Sequence, residues 1–164
     1  MTTLSRKVIA LIAAGATAPV IAYQFLQERE GISYHAYLDS SGIPTICVGH
    51  TEGVRMGDKA TPAQCEAYFN EDVKQAELIV NRLVRVPMTQ SERAAVISFC
   101  AFNIGQGKCQ TSTFLRKLNA GDKAGACAEI RRWIFDRGQD CRIQGNNCYG
   151  QVTRRIQEQE LCSM

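Results

Sequence analysis

Residues 30–51 read EGISYHAYLDSSGIPTICVGHT, and the reading of this stretch decides the fold. From Ala36 to His50, β-branched and aromatic residues stand on either side of Ser40-Ser41-Gly42, a pattern that predicts a hairpin turned at that triplet. Downstream the pattern changes to helical. Thr61-Pro62-Ala63-Gln64 offers an N-cap, a proline in the first turn and a Gln at the third position, after which Phe69, Val73, Ala76, Val80 and Leu83 recur every three or four residues. Thr89 to Glu92 repeats the capping pattern ahead of AAVISFCAFNI, apolar around most of its circumference and ended by Gly105. Further helices are expected over 113–120, over 123–135 after the cap Asp122, and over about 150–161. DRGQDCRIQGNNCYG reads as a polar loop between the last two. A small β region followed by a larger helical lobe is the α+β class.

The 164 residues, 45% hydrophobic and 21% charged, fit one globular domain. Net charge is +3, and Arg6 and Lys7 stand in a segment without acids, so residues 28–164 are nearly neutral. That argues against nucleic acid as the main partner, because non-specific binding there rests on many cations displacing counterions. The charge is uneven, with ten bases and four acids between residues 108 and 155, so an anionic partner fits the C-terminal half. A solvated charged face explains the same surplus. Eight cysteines, none before Cys47, show no C-x-x-C spacing and no suitably placed histidine, so no metal is expected and disulfides in an oxidising compartment are. The local closures Cys141 with Cys148 and Cys100 with Cys109 rank first, with buried free thiols as the alternative.

Residues 8–27, VIALIAAGATAPVIAYQFLQ, are uncharged, and a helix of that length spans about 30 Å, the thickness of a bilayer core. Eight small or polar residues and Pro19 make insertion marginal, while Arg6 and Lys7 put the N-terminus on the cytoplasmic side. The expectation is a weakly hydrophobic export helix over 1–27 in front of a separate domain over 28–164. A cleaved signal peptide and a core helix are the competing readings.

Glu30 follows this segment, Asp39 lies at the turn and Thr45 on the returning strand. Glycoside hydrolysis needs one carboxyl to protonate the leaving oxygen and a second polar group to handle water. A Glu at the end of an apolar helix and a solvated hairpin Asp offer two different environments for that work. Spacing alone leaves solvated surface carboxylates and a strand threonine as the plainer explanation.

The wider sequence alters that balance. EGISYHAYLD and TICVGHT resemble the active-site hairpin of phage-type lysozymes, the endolysins of tailed phages. TPAQCEAYFNEDV, SFCAFNIG, TSTFLRKLN and RRW follow in the order of that family's segments, so the resemblance covers about residues 28–164. With the export segment in front, the chain most resembles the signal-anchor-release endolysins of lambdoid phages. Those are held inactive at the inner membrane and released into the periplasm.

The resemblance implies a lysozyme-like fold and hydrolysis of the β-1,4 bond between N-acetylmuramic acid and N-acetylglucosamine in peptidoglycan strands, usually with inversion. It implies Glu30 as general acid, and Asp39 with Thr45 as the pair that positions water. It further implies a structural ion pair of His50 with Asp72, and Phe102 with Asn103 lining the substrate cleft. Asn103 stands where some members have Gln, and Phe102 is equally readable as core. The implied protein is a monomer without cofactor, tethered to the inner membrane through residues 8–27 and then periplasmic. With Asp39 at the middle catalytic position and no cysteine in residues 1–46, thiol exchange with the anchor is excluded, which leaves a conformational activation. A lytic transglycosylase and a membrane-anchored wall-binding protein are the alternative functions.

Overall fold

The computed structural model describes residues 1–164. The long uncharged run folds as two helices, α1 (Arg6–Ala13) and α2 (Ala18–Gln27), not as one. Gly15 makes the break. Its φ of 72° is left-handed, its N–H bonds Ile12 O at 3.0 Å, and the Ala16 N–H reaches Leu11 O at 3.0 Å. Carbonyls at the end of α1 are thereby satisfied in a Schellman ending that glycine closes without strain. Thr17 then takes the N-cap conformation and Pro19 occupies the first turn, where no N–H is needed. The free Ala18 N–H donates to Gln90 Oε1 at 2.7 Å.

In this structure the expected membrane-length helix is not seen: no helix is long and apolar enough to cross a membrane. Leu4, Val8, Ala18, Ile21, Ala22, Phe25 and Leu26 instead enter the main core, seven of its 27 buried residues. Position 27 is not a packing boundary in this state. Polar bonds hold the same segment: Gln157 Nε2 donates to Thr3 O at 2.9 Å, the Thr3 N–H to Glu160 Oε2 at 2.8 Å, and Ser5 Oγ to Glu28 Oε1 at 2.7 Å.

The predicted hairpin forms from β1 (Ser33–Leu38) and β2 (Pro44–Cys47), antiparallel, with Tyr37 opposite Thr45. Helix α3 (Pro62–Leu83) opens with the expected capping box, in which Thr61 Oγ1 accepts from the Gln64 N–H while the Gln64 side chain accepts from Thr61. The central helix is α4 (Gln90–Val96), capped by Thr89 and Glu92, and it continues over Ile97–Ile104 with π winding up to Gly105. Short helices α5 (Gln106–Gln110), α6 (Thr113–Asn119) and α7 (Lys123–Glu129) follow, then one 3₁₀ turn over Ile130–Arg132 and the final α8 (Tyr149–Cys162). The helix expected over 123–135 thus stops at 132. The loop after it contains a second hairpin, β3 (Phe135–Asp136) with β4 (Gln139–Asp140), turned by Arg137 and Gly138, both at positive φ.

All eight cysteines are paired: Cys47–Cys65, Cys100–Cys109, Cys127–Cys162 and Cys141–Cys148. Both local closures ranked from spacing are present. Together with the small β region and helical lobe, they give the α+β architecture expected of the hairpin-bearing sequence.

Candidate functional site

Glu30 lies three residues past the end of α2. Its backbone N–H bonds Leu26 O at 3.1 Å, so the docked helix fixes where the side chain starts. Glu30 Oε1 then lies 2.9 Å from Arg154 Nη2, both side chains about one quarter exposed. That pairing joins positions 124 residues apart, and nothing in local sequence announces it beyond the basic surplus of the C-terminal half. Arg154 Nη1 donates in turn to Asn103 Oδ1 at 2.7 Å.

Behind this pair lies a buried carboxylate, Glu158, with no exposed surface. Its Oε1 accepts from Ser98 Oγ at 2.6 Å and from Asn103 Nδ2 at 2.6 Å, and its Oε2 lies 3.1 Å from Arg155 Nε, in ion-pair range but poorly aligned for a hydrogen bond. Burial pushes the Glu158 carboxyl above its ordinary range, while the Arg155 and Arg154 charges and the bonds from Ser98 and Asn103 draw it back. Asn103, expected at the substrate, has its amide committed to protein partners on both sides. Phe102 packs edge-on against Phe69, ring centroids 5.9 Å apart, beside the main core.

On the hairpin, Asp39 Oδ1 accepts from the Ser41 N–H at 2.8 Å and the Ile43 N–H at 2.9 Å, leaving Oδ2 without a protein partner. Thr45 is 2% exposed, and its hydroxyl donates to Ile43 O at 2.9 Å. With Tyr37 opposite Thr45, Asp39 and Thr45 are diagonal neighbours on one face, about 7–8 Å apart by ordinary sheet geometry. No direct hydrogen bond joins either of them to Glu30. What ties the two halves is Arg137, at the tip of the second hairpin, whose Nη2 donates to Ser40 O at 2.8 Å, next to Asp39. Next to Arg154 a cavity of about 270 Å³ is lined by Trp133, Phe135, Lys108 and Gln151 among others. Aromatic faces beside cations suit a sugar carrying carboxylates.

His50 and Asp72 meet as the resemblance implied, His50 Nδ1 lying 2.9 Å from Asp72 Oδ2 and 3.1 Å from Oδ1. The imidazole also stacks on Tyr68, centroids 4.3 Å apart. Burial raises the Asp72 carboxyl, and the hydrogen bond and charge of His50 oppose that. His50 bridges Ile46 of the returning strand and Asp72 lies on α3, so the contact links the hairpin to that helix. No group of three or more His, Cys, Asp or Glu side chains is arranged to hold a metal ion.

The phage lysozyme family profile matches residues 27–158. Over 162 residues the chain is 50% identical to the SAR-endolysin of Escherichia phage 933W, covering 96% of this chain and 92% of that protein. A crystal structure of a P22 lysozyme variant superposes with a TM-score of 0.72 at 34% identity, covering 87% of this chain and 95% of that one. At 21% identity, the active form of P1 phage endolysin Lyz shares the fold, with a TM-score of 0.73 over 99% of this chain and 95% of its own.

Proposed function

The chain belongs to the phage lysozyme family, and from that premise we propose that it is a phage endolysin degrading peptidoglycan as a muramidase. The bond cleaved is the β-1,4 link between N-acetylmuramic acid and N-acetylglucosamine. The observation that carries this reading is Glu30, held at the end of α2 by Arg154 beside an aromatic and basic cavity.

Arg154 engages Oε1, which leaves Oε2 of Glu30 as the oxygen that delivers a proton to the departing glycosidic oxygen. Asp39 keeps Oδ2 free, and Thr45, its own proton spent on Ile43 O, acts as an acceptor. A water donating to both presents its lone pair to the anomeric carbon, and Asp39 takes the proton as the C–O bond forms. That arrangement gives inversion, with water entering opposite the leaving group. Replacing Glu30 by Gln keeps size and removes the proton, so clearing of purified Gram-negative peptidoglycan should fall about a hundredfold or more. Equal clearing by wild type and Glu30→Gln would refute the assignment, and products ending in 1,6-anhydromuramic acid would place the chain among transglycosylases.

Residues 8–27 are proposed to span the inner membrane before release and to refold as α1 and α2 afterwards, in the periplasm. The support is their uncharged length, the flanking Arg6 and Lys7, and the relatives named SAR-endolysins. Ala10, Ala13 and Ala14 are exposed in the docked form. Leucine at all three positions therefore leaves the docked fold intact while each adds a few tenths of a kcal/mol to insertion. Such a variant should fail to lyse cells yet retain activity on isolated walls when purified from detergent; unimpaired lysis would remove the release mechanism.

A further inference from the structure

Glu158 is fully buried, and the reaction as described gives it no task. Taking a carboxylate out of water costs several kcal/mol, so its partners deserve tracing. A carboxyl oxygen that bears no proton accepts hydrogen bonds and donates none. Its Oε1 therefore draws the Nδ2 end of Asn103 inward at 2.6 Å, which turns the Oδ1 end outward to Arg154 Nη1 at 2.7 Å. The opposite amide orientation would set an N–H against a guanidinium and a carbonyl against a carboxylate. Arg154, held at one nitrogen by Asn103, meets Glu30 with the other at 2.9 Å.

Local winding makes this connection possible. Residues 97–104 have π geometry, which brings positions five apart onto one face, and Asn103 Nδ2 indeed lies 3.2 Å from Ser98 Oγ. Both side chains thereby reach Glu158. Arg154 and Glu158, four apart on α8, share the face that looks toward this segment. Arg155 balances the charge of Glu158 from the same helix, and Arg29, at the end of α2, contributes a further cation.

We infer that Glu158 is a positioning residue for the hydrolysis: through the amide of Asn103 it orients Arg154 and so fixes the carboxyl of Glu30. This rests on the reading of Glu30 as the acid. The chemistry asks nothing of Glu158 except that it accept, so a neutral acceptor of the same length substitutes for it and an apolar side chain does not.

The test uses the full-length oxidised protein and soluble peptidoglycan glycan fragments, with kcat and KM measured separately. Glu158→Leu and Asn103→Leu should each lower kcat about tenfold or more, in line with the cost of misplacing a catalytic group, and leave KM within twofold. Glu158→Gln should recover most of the loss. Because both leucine variants break one chain of contacts, the double variant should be no slower than the slower single variant. Asn103 is only partly buried, so Asn103→Leu carries the test if Glu158→Leu does not fold. Wild-type kcat in a folded leucine variant, no recovery in Glu158→Gln, or a double variant that multiplies the two losses would each overturn the inference. Glu30→Gln runs alongside: if it is fully active the acid assignment has failed, and if it is inert while the leucine variants are not, the positioning role alone has failed.

Discussion

Protein lacking residues 1–27 will neither melt cooperatively nor clear peptidoglycan. Five large side chains leave the core with that segment: Leu4, Val8, Ile21, Phe25 and Leu26, each 6% exposed or less. At about 1.5–3 kcal/mol each, their loss is on the order of 10 kcal/mol. Typical domains have only about 5–15 kcal/mol in total. The deletion also exposes the faces of α3 and α4 on which α2 packs, and removes the Leu26 carbonyl that anchors the Glu30 backbone. Under the proposed release mechanism the same arithmetic predicts an inactive tethered form: a bilayer that holds residues 8–27 keeps those core side chains from the domain. Circular dichroism melts and wall clearing, comparing full-length protein with one beginning at Glu28, decide the matter. A truncated protein with a sharp melt and unchanged clearing would show that the segment is an appendage.

Much of the helical lobe was legible because its signals are local. Thr61 with Gln64, Thr89 with Glu92, Asp122 and Gly105 act within one turn of themselves, and each marks an end that the structure places there. The N-terminal break was written just as locally, in Gly15 and Pro19. An uncharged run of bilayer length outweighed both, since composition over 20 residues speaks to insertion and not to which carbonyl Gly15 closes. Composition therefore argued for insertion into a bilayer, while the structure shows the segment docked on the domain. The second hairpin escaped because strands of two residues are too short to show a period of two.

The site divides along the same line. Glu30, Asp39 and Thr45 lie within 16 positions of each other, so a hairpin and a resemblance were enough to single them out. Arg154 and Glu158 come from α8, and only tertiary packing brings them to Glu30 and Asn103. Asn103 was singled out as a residue lining the substrate cleft, whereas the structure gives its amide two protein partners, Glu158 and Arg154. Its place on the helix follows from local sequence, whereas its amide meets a carboxyl group 55 residues later, which no local signal announces.

Full reduction will abolish activity and, with it, the folded state. The four bridges close segments with sequence separations of 18, 9, 35 and 7, and closures of that size stabilise by about 2–4 kcal/mol each. Their joint removal matches the whole stability of an ordinary domain. The Cys127–Cys162 bridge spans the longest segment and joins α7 to the end of α8, so paired serines there should lower the urea midpoint most. Cys47–Cys65 acts differently. It pins β2, which carries Thr45, to α3, which carries Asp72, so its loss should lower the rate of clearing more than the urea midpoint. Cys100–Cys109 fixes the π-wound segment that presents Ser98 and Asn103 to Glu158. A reduced and alkylated protein that still clears walls at the oxidised rate would refute this ranking entirely. The opposite outcome means that the site is not assembled under reducing conditions and is completed only in an oxidising compartment, where the four bridges form.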